Sequence, residues 1–269
     1  FYEPYTTRIM ITTFIHSLQS ERIKMRRSAA FWLVVAGALF IPTILTIVQI
    51  IYPDKFSPLA MQGEYWRLLY KHSWETMAIL LLPIGVILST SLITQMEFKN
   101  NTWKQVYASP QSLSTIFLSK LTITLLMMLA FFILFTLGML ISAYLPPLLN
   151  GTNVFPSADI PIDLFVWGTL KFFVACLPIV AIQYFISMQF KNFLVSVGFG
   201  LVMIVGSIFA LQWKYGYTFP YSYSALQFFE VNGNPRHPAN ISTMYWSFGY
   251  FLFFTMVHYI TYIYRKERG

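Results

Sequence analysis

Charge is what this sequence has least of. Of its 269 residues only 10% are Asp, Glu, Lys or Arg, against roughly 25% in ordinary soluble domains, which excludes a self-standing water-soluble fold. Cysteine is nearly absent too: Cys176 stands alone inside an apolar run, can close no intramolecular disulfide, and reads as a packing residue. There is no G-x-x-x-x-G-K-[ST] stretch, so the chain lacks the usual loop for cradling nucleotide phosphates. There is no G-x-S-x-G elbow, no H-E-x-x-H and no histidine or cysteine cluster, which removes the common nucleophiles and metal sites of an intramembrane enzyme. His72 and Glu75 share a helical spacing but are only two ligands, and His258 stands alone in the last apolar run, where packing explains it. Asp159 and Asp163 fall in a polar connection and read as solvated caps. No internal repeat or pair of broken segments marks an inverted-repeat transporter.

Long hydrophobic runs are what the chain has instead. It is 57% hydrophobic and 19% aromatic, and six runs, near 29–51, 74–95, 115–145, 164–188, 193–212 and 244–264, are long enough to cross a hydrocarbon core as helices. Their continuous hydrophobicity argues against the alternating strands of a barrel. The fold class is therefore an all-α polytopic membrane protein, one transmembrane domain over residues 1–269. The first run follows a long polar segment and is too long for a signal peptide, so all six are expected to persist; the start at Phe1 rather than at a methionine suits a chain missing a few residues.

Lysine and arginine placement sets the orientation. With the amino terminus inside, Arg8, Arg22, Lys24, Arg26, Arg27, Lys99, Lys104, Lys120, Lys191, Arg265, Lys266 and Arg268 lie on that side, twelve of the eighteen basic residues. Glu3, Glu21, Glu97 and Glu267 accompany them, so the net charge of +8 falls on the inner face and both termini are predicted to be cytoplasmic. These charges flank spans and face anionic lipid; nucleic acid is not expected as a partner. Lys120 and Lys171 fall near span ends, where long side chains can snorkel, leaving the membrane interior nearly free of charge.

Between the spans, residues 8–27 place Ile11, Phe14, Ile15 and Leu18 on one stripe with basic residues gathered at the end, a pattern predicting an interfacial helix. The longer connections, 52–73, 146–163 and 213–243, are external, and the aromatic stretch YGYTFPYSYSALQFF in the last suits an interfacial belt or a lid. Pro42, Pro83 and Pro178 lie inside spans and are expected to kink them. In the fifth span Ser196, Gly200 and Ser207 share a small-residue face, predicting close helix packing or a dimer interface.

The short polar hairpin EFKNNTWKQVYASPQS, residues 97–112, offers an amphipathic helix with Phe98, Trp103, Val106 and Tyr107 on one side and Lys99, Lys104 and Gln105 on the other. Pro110 stops it, and Ser112 with Thr115 caps the next span. So short a helix is marginal alone and needs something to dock into. From the residues alone a stand-alone secondary transporter or channel, or less readily an intramembrane enzyme, remains open beside a pump energised elsewhere.

The basic amphipathic segment, the six spans, and the stretch NTWKQVYASPQSLSTIFLSKL following an acidic residue together resemble the permease subunits of ABC type-2 exporters, in the branch that includes lantibiotic-immunity and multidrug-type permeases. The resemblance implies a non-catalytic half-transporter in a bacterial plasma membrane, paired with a second copy or a homologous permease and with two cytosolic ATPase subunits. ATP and Mg would be bound by those partners, and no cofactor by this chain. It further implies that the segment of about residues 8–27 is the elbow helix, and that the hairpin is a coupling helix docking on the ATPase through Glu97, Lys99, Trp103, Lys104 and Tyr107.

Overall fold

Apolar runs in lipid satisfy their backbone groups internally, and the computed structural model is correspondingly helical throughout, with no strand among the described residues. It describes residues 3–99, 111–152, 154–239 and 241–266, with side chains from residue 11 onward apart from those of 97–99, 265 and 266. Helix α1 (Glu3–Met25) leads into α2 (Ala29–Ile51), whose first turn is capped by the Ser28 hydroxyl accepting from the Phe31 N–H at 3.2 Å. After the short α3 (Pro53–Ala60), helix α4 (Tyr65–Thr76), a π turn (Met77–Leu81) and α5 (Leu82–Lys99) run on without a break. Pro83 lacks an N–H, and its ring crowds the carbonyl one turn back; the wider π turn stands directly ahead of it and relieves that conflict. Helix α6 (Leu113–Leu149) is the longest and is capped by Ser112, which accepts from the Thr115 N–H. A second π turn (Leu164–Gly168) opens α7 (Thr169–Gln189), followed by α8 (Phe193–Ala210), α9 (Tyr223–Val231) and α10 (Thr243–Lys266).

Among the described residues five stretches are long and apolar enough to cross a membrane: Ala29–Ile51, Tyr65–Met96, Leu113–Leu149, Leu164–Gln189 and Phe193–Ala210. The last helix, α10, has the length at 24 residues, but its Tyr, Trp and His content makes it less apolar than the others.

Helix α6 is central. It packs along α2 and receives α1 across its start, while α5 and α7 lie together, α10 lies on α7, and α8 lies on α5. Gly138 of α6 makes room for the Pro42 ring of α2: a Cβ there would sit 2.9 Å from Pro42 Cγ. Pro42 and Pro178 are both carried inside uninterrupted helices. The other ends of α4 and α7 are joined by rings, with Trp74 stacked on Phe172 at 3.8 Å between centroids and 5° between planes.

The connections differ from the sequence expectation in two respects. Much of 52–73 is helical, because YWRLLYKHSWET turns Tyr65, Trp66, Leu69, Tyr70, Ser73 and Trp74 inward and its charges outward. The second half of the aromatic stretch in 213–243 folds inward as α9, with Tyr223 to Phe228 all buried, while its first half forms two short 3-10 turns with Tyr215 exposed.

Candidate functional site

At the α1 end of the bundle, α5 ends at Lys99 and α6 begins at Leu113. Trp103, Lys104 and Tyr107 lie outside the described residues; Glu97 and Lys99 belong to the last turns of α5, but their side chains are outside the description. What the structure does define is how the two helices that carry this segment are rooted.

The first two turns of α6 are held from three sides. From α1, the Ser17 hydroxyl donates to Ser119 Oγ at 2.9 Å, and Lys120 Nζ donates to Glu21 Oε2 at 3.0 Å. From α7, the Tyr184 hydroxyl donates to the Phe117 carbonyl at 3.1 Å. From α10, Tyr259 and Ser114 share a hydroxyl hydrogen bond of 2.8 Å. His258, 1% exposed, lies against the rings of Phe117, Tyr184 and Phe185 at 4.6–5.2 Å and completes this seam.

The ion pair is the unusual element. The Lys120 side chain is 1% exposed and that of Glu21 7%; Lys24 Nζ reaches the other Glu21 oxygen at 2.6 Å from the solvent side. Burial alone pushes the Glu21 carboxyl up, but Lys120 and Lys24 outweigh it and hold the group below its ordinary value, so it is charged at neutral pH. Lys120 therefore does not snorkel as the sequence suggested: it points into α1 and finds its counter-charge there. The face that α1 turns to the bundle is also not the apolar stripe. Ser17, Glu21 and Met25, spaced by four, are buried, while Ile11 and Ile15 remain 55% and 45% exposed.

The end of α5 is rooted as firmly. Gln95 Nε2 donates to the Ser187 carbonyl at 3.1 Å and also to that of Phe190, satisfying carbonyls that the end of α7 leaves without helical partners. One turn further in, Gln183 of α7 is the hub of a buried polar cluster. Its Nε2 lies 2.8 Å from Ser91 Oγ, Ser196 Oγ and the Ser196 carbonyl, and the Tyr221 hydroxyl donates to its Oε1 at 3.4 Å. Ser187 adds a further hydrogen bond to Ser196. One side chain thereby ties α5, α7, α8 and the turn before α9.

Of the small residues of α8, Ser196 is part of this cluster and Gly200 lies against Ile87 of α5, where a Cβ would come within 2.6 Å of Ile87 Cγ2. Ser207 is buried with its hydroxyl on the Ile204 carbonyl. The opposite stripe of α8, with Leu194, Val202 and Phe209 each at least 70% exposed, faces outward. His72 and Glu75 are both exposed, with Nδ1 3.9 Å from the carboxylate. Among the described residues no group of three or more metal-ligating side chains comes together.

Sequence reasoning missed Glu21, Gln95, Lys120 and Gln183. A signal existed: Glu21 is one of only ten acids, and it sits on the Ser17–Met25 spacing rather than on the side that carries Arg22 and Arg26. Its partner 99 residues away was not readable.

The sequence pattern of the family described as "ABC-2 family transporter protein" matches residues 17–207. That interval takes in Ser17, Glu21, Gln95, Lys120, Gln183 and Ser196, while Tyr221 of the polar cluster and the α10 contacts through His258 and Tyr259 lie beyond it. No curated protein and no solved structure matches the chain.

Proposed function

The chain belongs to the ABC-2 transporter permease family, whose members are multi-pass membrane components of ABC transporters, and from that premise we propose that it is the permease subunit of an ATP-binding cassette exporter. It moves its substrate with ATP hydrolysed, with Mg, in two separate cytosolic subunits, and it works beside a second copy or a homologous permease. In this reading α10 is the sixth span, α1 is the elbow helix lying in the inner interface of a bacterial plasma membrane, and both termini are cytoplasmic. The excess of basic residues on that side supports the orientation, and the outward-facing Ile11 and Ile15 of α1 give the helix an apolar face for lipid.

Residues 97–112 form the docking segment, with Glu97, Lys99, Trp103, Lys104 and Tyr107 as its contacts. When the ATPase subunits close, the segment moves, and α5 and α6 both run from it into the membrane, so that either helix can carry the movement inward. The observation that carries this reading is the triple clamp on the start of α6. A helix of 37 residues is about 55 Å long at 1.5 Å per residue. A small tilt imposed at a rigid root therefore becomes a large displacement at its far end. Glu21, Lys120 and the serines act here as positioning residues, with no bond made or broken.

The test is Trp103→Ala combined with Glu97→Ala. Aromatic anchors at protein contacts lose about 2 kcal/mol or more on truncation, so the double variant is expected to bind the ATPase subunit roughly thirtyfold more weakly while keeping its own elution profile and thermal transition. Unchanged ATPase affinity with normal transport refutes the docking role.

A further inference from the structure

Away from the roots, the bundle carries a cavity of about 570 Å³, within the usual range of small-molecule sites. It opens sideways between α2 and α5 over a floor made by Met128 and Phe131 of α6. Two glycines on facing helices, Gly37 and Gly85, make the opening. A Cβ at Gly85 would meet nothing within 4 Å. The wall is apolar: Trp32, Phe40 and Leu81 are among its lining residues, and the hydroxyl of Ser89 is already turned back to the Val86 carbonyl at 3.2 Å. Nothing in it can orient a polar cargo, whereas an acyl chain needs no polar partner.

The surroundings of one end are charged. Trp32, 64% exposed, begins the groove in the first turns of α2. Immediately before that helix come Arg26 and Arg27, both exposed, only six and five residues from Trp32. No Asp or Glu occurs between Glu21 and Asp54, so this end of the groove has net positive charge and an indole able to donate at headgroup depth. We propose that the groove is a binding site for an anionic glycerophospholipid, with one acyl chain laid between Gly37 and Gly85 and the phosphate held by Arg26 and Arg27. The molecule supplies its own control. A second shallow groove, of about 420 Å³, lies on α10 along Tyr245, Trp246, Gly249, Tyr250 and Phe253. No lysine or arginine occurs between Arg236 and Arg265, so lipid there has no basic residue close in sequence to select its headgroup.

The experiment uses the full chain in nanodiscs doped with phosphatidylglycerol or phosphatidylcholine carrying a photoactivatable acyl chain, with cross-links mapped by peptide mass spectrometry. Labelling around Phe40 and Gly85 is expected to favour phosphatidylglycerol roughly thirtyfold, as two basic contacts at a lipid surface would give, and labelling around Trp246 is expected to show no preference. Gly85→Phe fills open space and should abolish labelling in the groove while leaving that of α10. Arg26→Gln with Arg27→Gln, in an exposed turn, should remove the preference but keep the acyl labelling. Equal labelling by the two lipids in the groove, groove labelling unaffected by Gly85→Phe, or groove residues cross-linked to a second copy of the chain overturns the proposal.

Discussion

The two ends of this bundle are built from different interactions. At the α1 end the helices are joined by directional links between buried partners: Glu21 to Lys120, Ser17 to Ser119, Tyr184 to the Phe117 carbonyl, and Gln95 to the end of α7. At the other end the junction of α4, α7 and α9 is mainly rings. Trp66, Tyr70 and Trp74 meet Phe165 and Phe172 edge-on or stacked, the pairs Glu64–Arg67 and His72–Glu75 are exposed, and the directional links of this end, such as Tyr65 to Gln49, Trp66 to the Ala158 carbonyl and His237 with Thr243 to Glu230, stand beside these rings. Several polar atoms there are buried without a partner among the described residues: Trp74 Nε1, Tyr223 hydroxyl, Ser224 Oγ and Gln227 Nε2. Hydrogen bonds and a buried ion pair fix distance and angle, and an interrupted one is expensive. Apolar and ring contacts are less directional and can be re-formed after a slide. The α1 end is therefore the end suited to receive a force without deforming, and the ring-rich end the one suited to yield.

The contrast is broken most strongly at Lys120. Replacing it with Met removes the buried counter-charge of Glu21 and leaves only Lys24 on the solvent side, and removing one partner of a buried pair costs up to about 3–5 kcal/mol. The thermal transition of Lys120→Met in detergent should fall by several degrees, and adding Glu21→Met should restore most of the loss. The same pair predicts a pH effect. The folded-state value of Glu21 is lowered, so its contribution is fully present above the ordinary carboxylate value and is lost as pH falls through the lowered one. Acid melting curves of Glu21→Gln should accordingly be flatter below about pH 4.5.

Gly200→Leu comes next. Overpacking against Ile87 is expected to cost about 1–3 kcal/mol, read as a lower transition temperature of the isolated chain. A variant of unchanged stability that fails to assemble would instead place that face at a subunit contact. The smallest effect is expected at the ring-rich end: Trp74→Phe keeps the stack on Phe172 and removes an N–H with no partner, so stability should change by less than about 1.5 kcal/mol. A loss as large as that of Lys120→Met would erase the distinction between the two ends.

Much of the helical content was legible because hydropathy over 20 residues is a strong local signal, and the Ser112 cap was legible because its chemistry is local. The beginning of the second long helix at Tyr65 was not, since Arg67, Lys71 and Glu75 on its outer side hide an inner face of rings. Helix α9 was read as surface because its aromatics suit an interface as well as a core; burial decided, and burial is not written in composition. The roots of α5 and α6 were the least legible. Gln95, Lys120 and Glu21 act through partners 92 to 99 residues away, and sequence spacing carries no trace of contacts closed at that range. The proposed docking segment shows the reverse: its amphipathic composition is local and legible, while the partner proposed for it is a separate chain.

The central claim is that the start of α6 and α1 move as one body while the far end of α6 shifts. Cysteines introduced at Gln19 and Leu118, both exposed, report on the root, and cysteines at Leu145 and Trp213 report on the far end. The native Cys176 is 1% exposed and should not take a spin label. Pulsed electron-electron distances are then compared for the reconstituted complex with and without ATP. The account predicts an unchanged distance distribution between 19 and 118 and a displaced one between 145 and 213. A root distance that shifts with ATP as much as the far-end distance would contradict it.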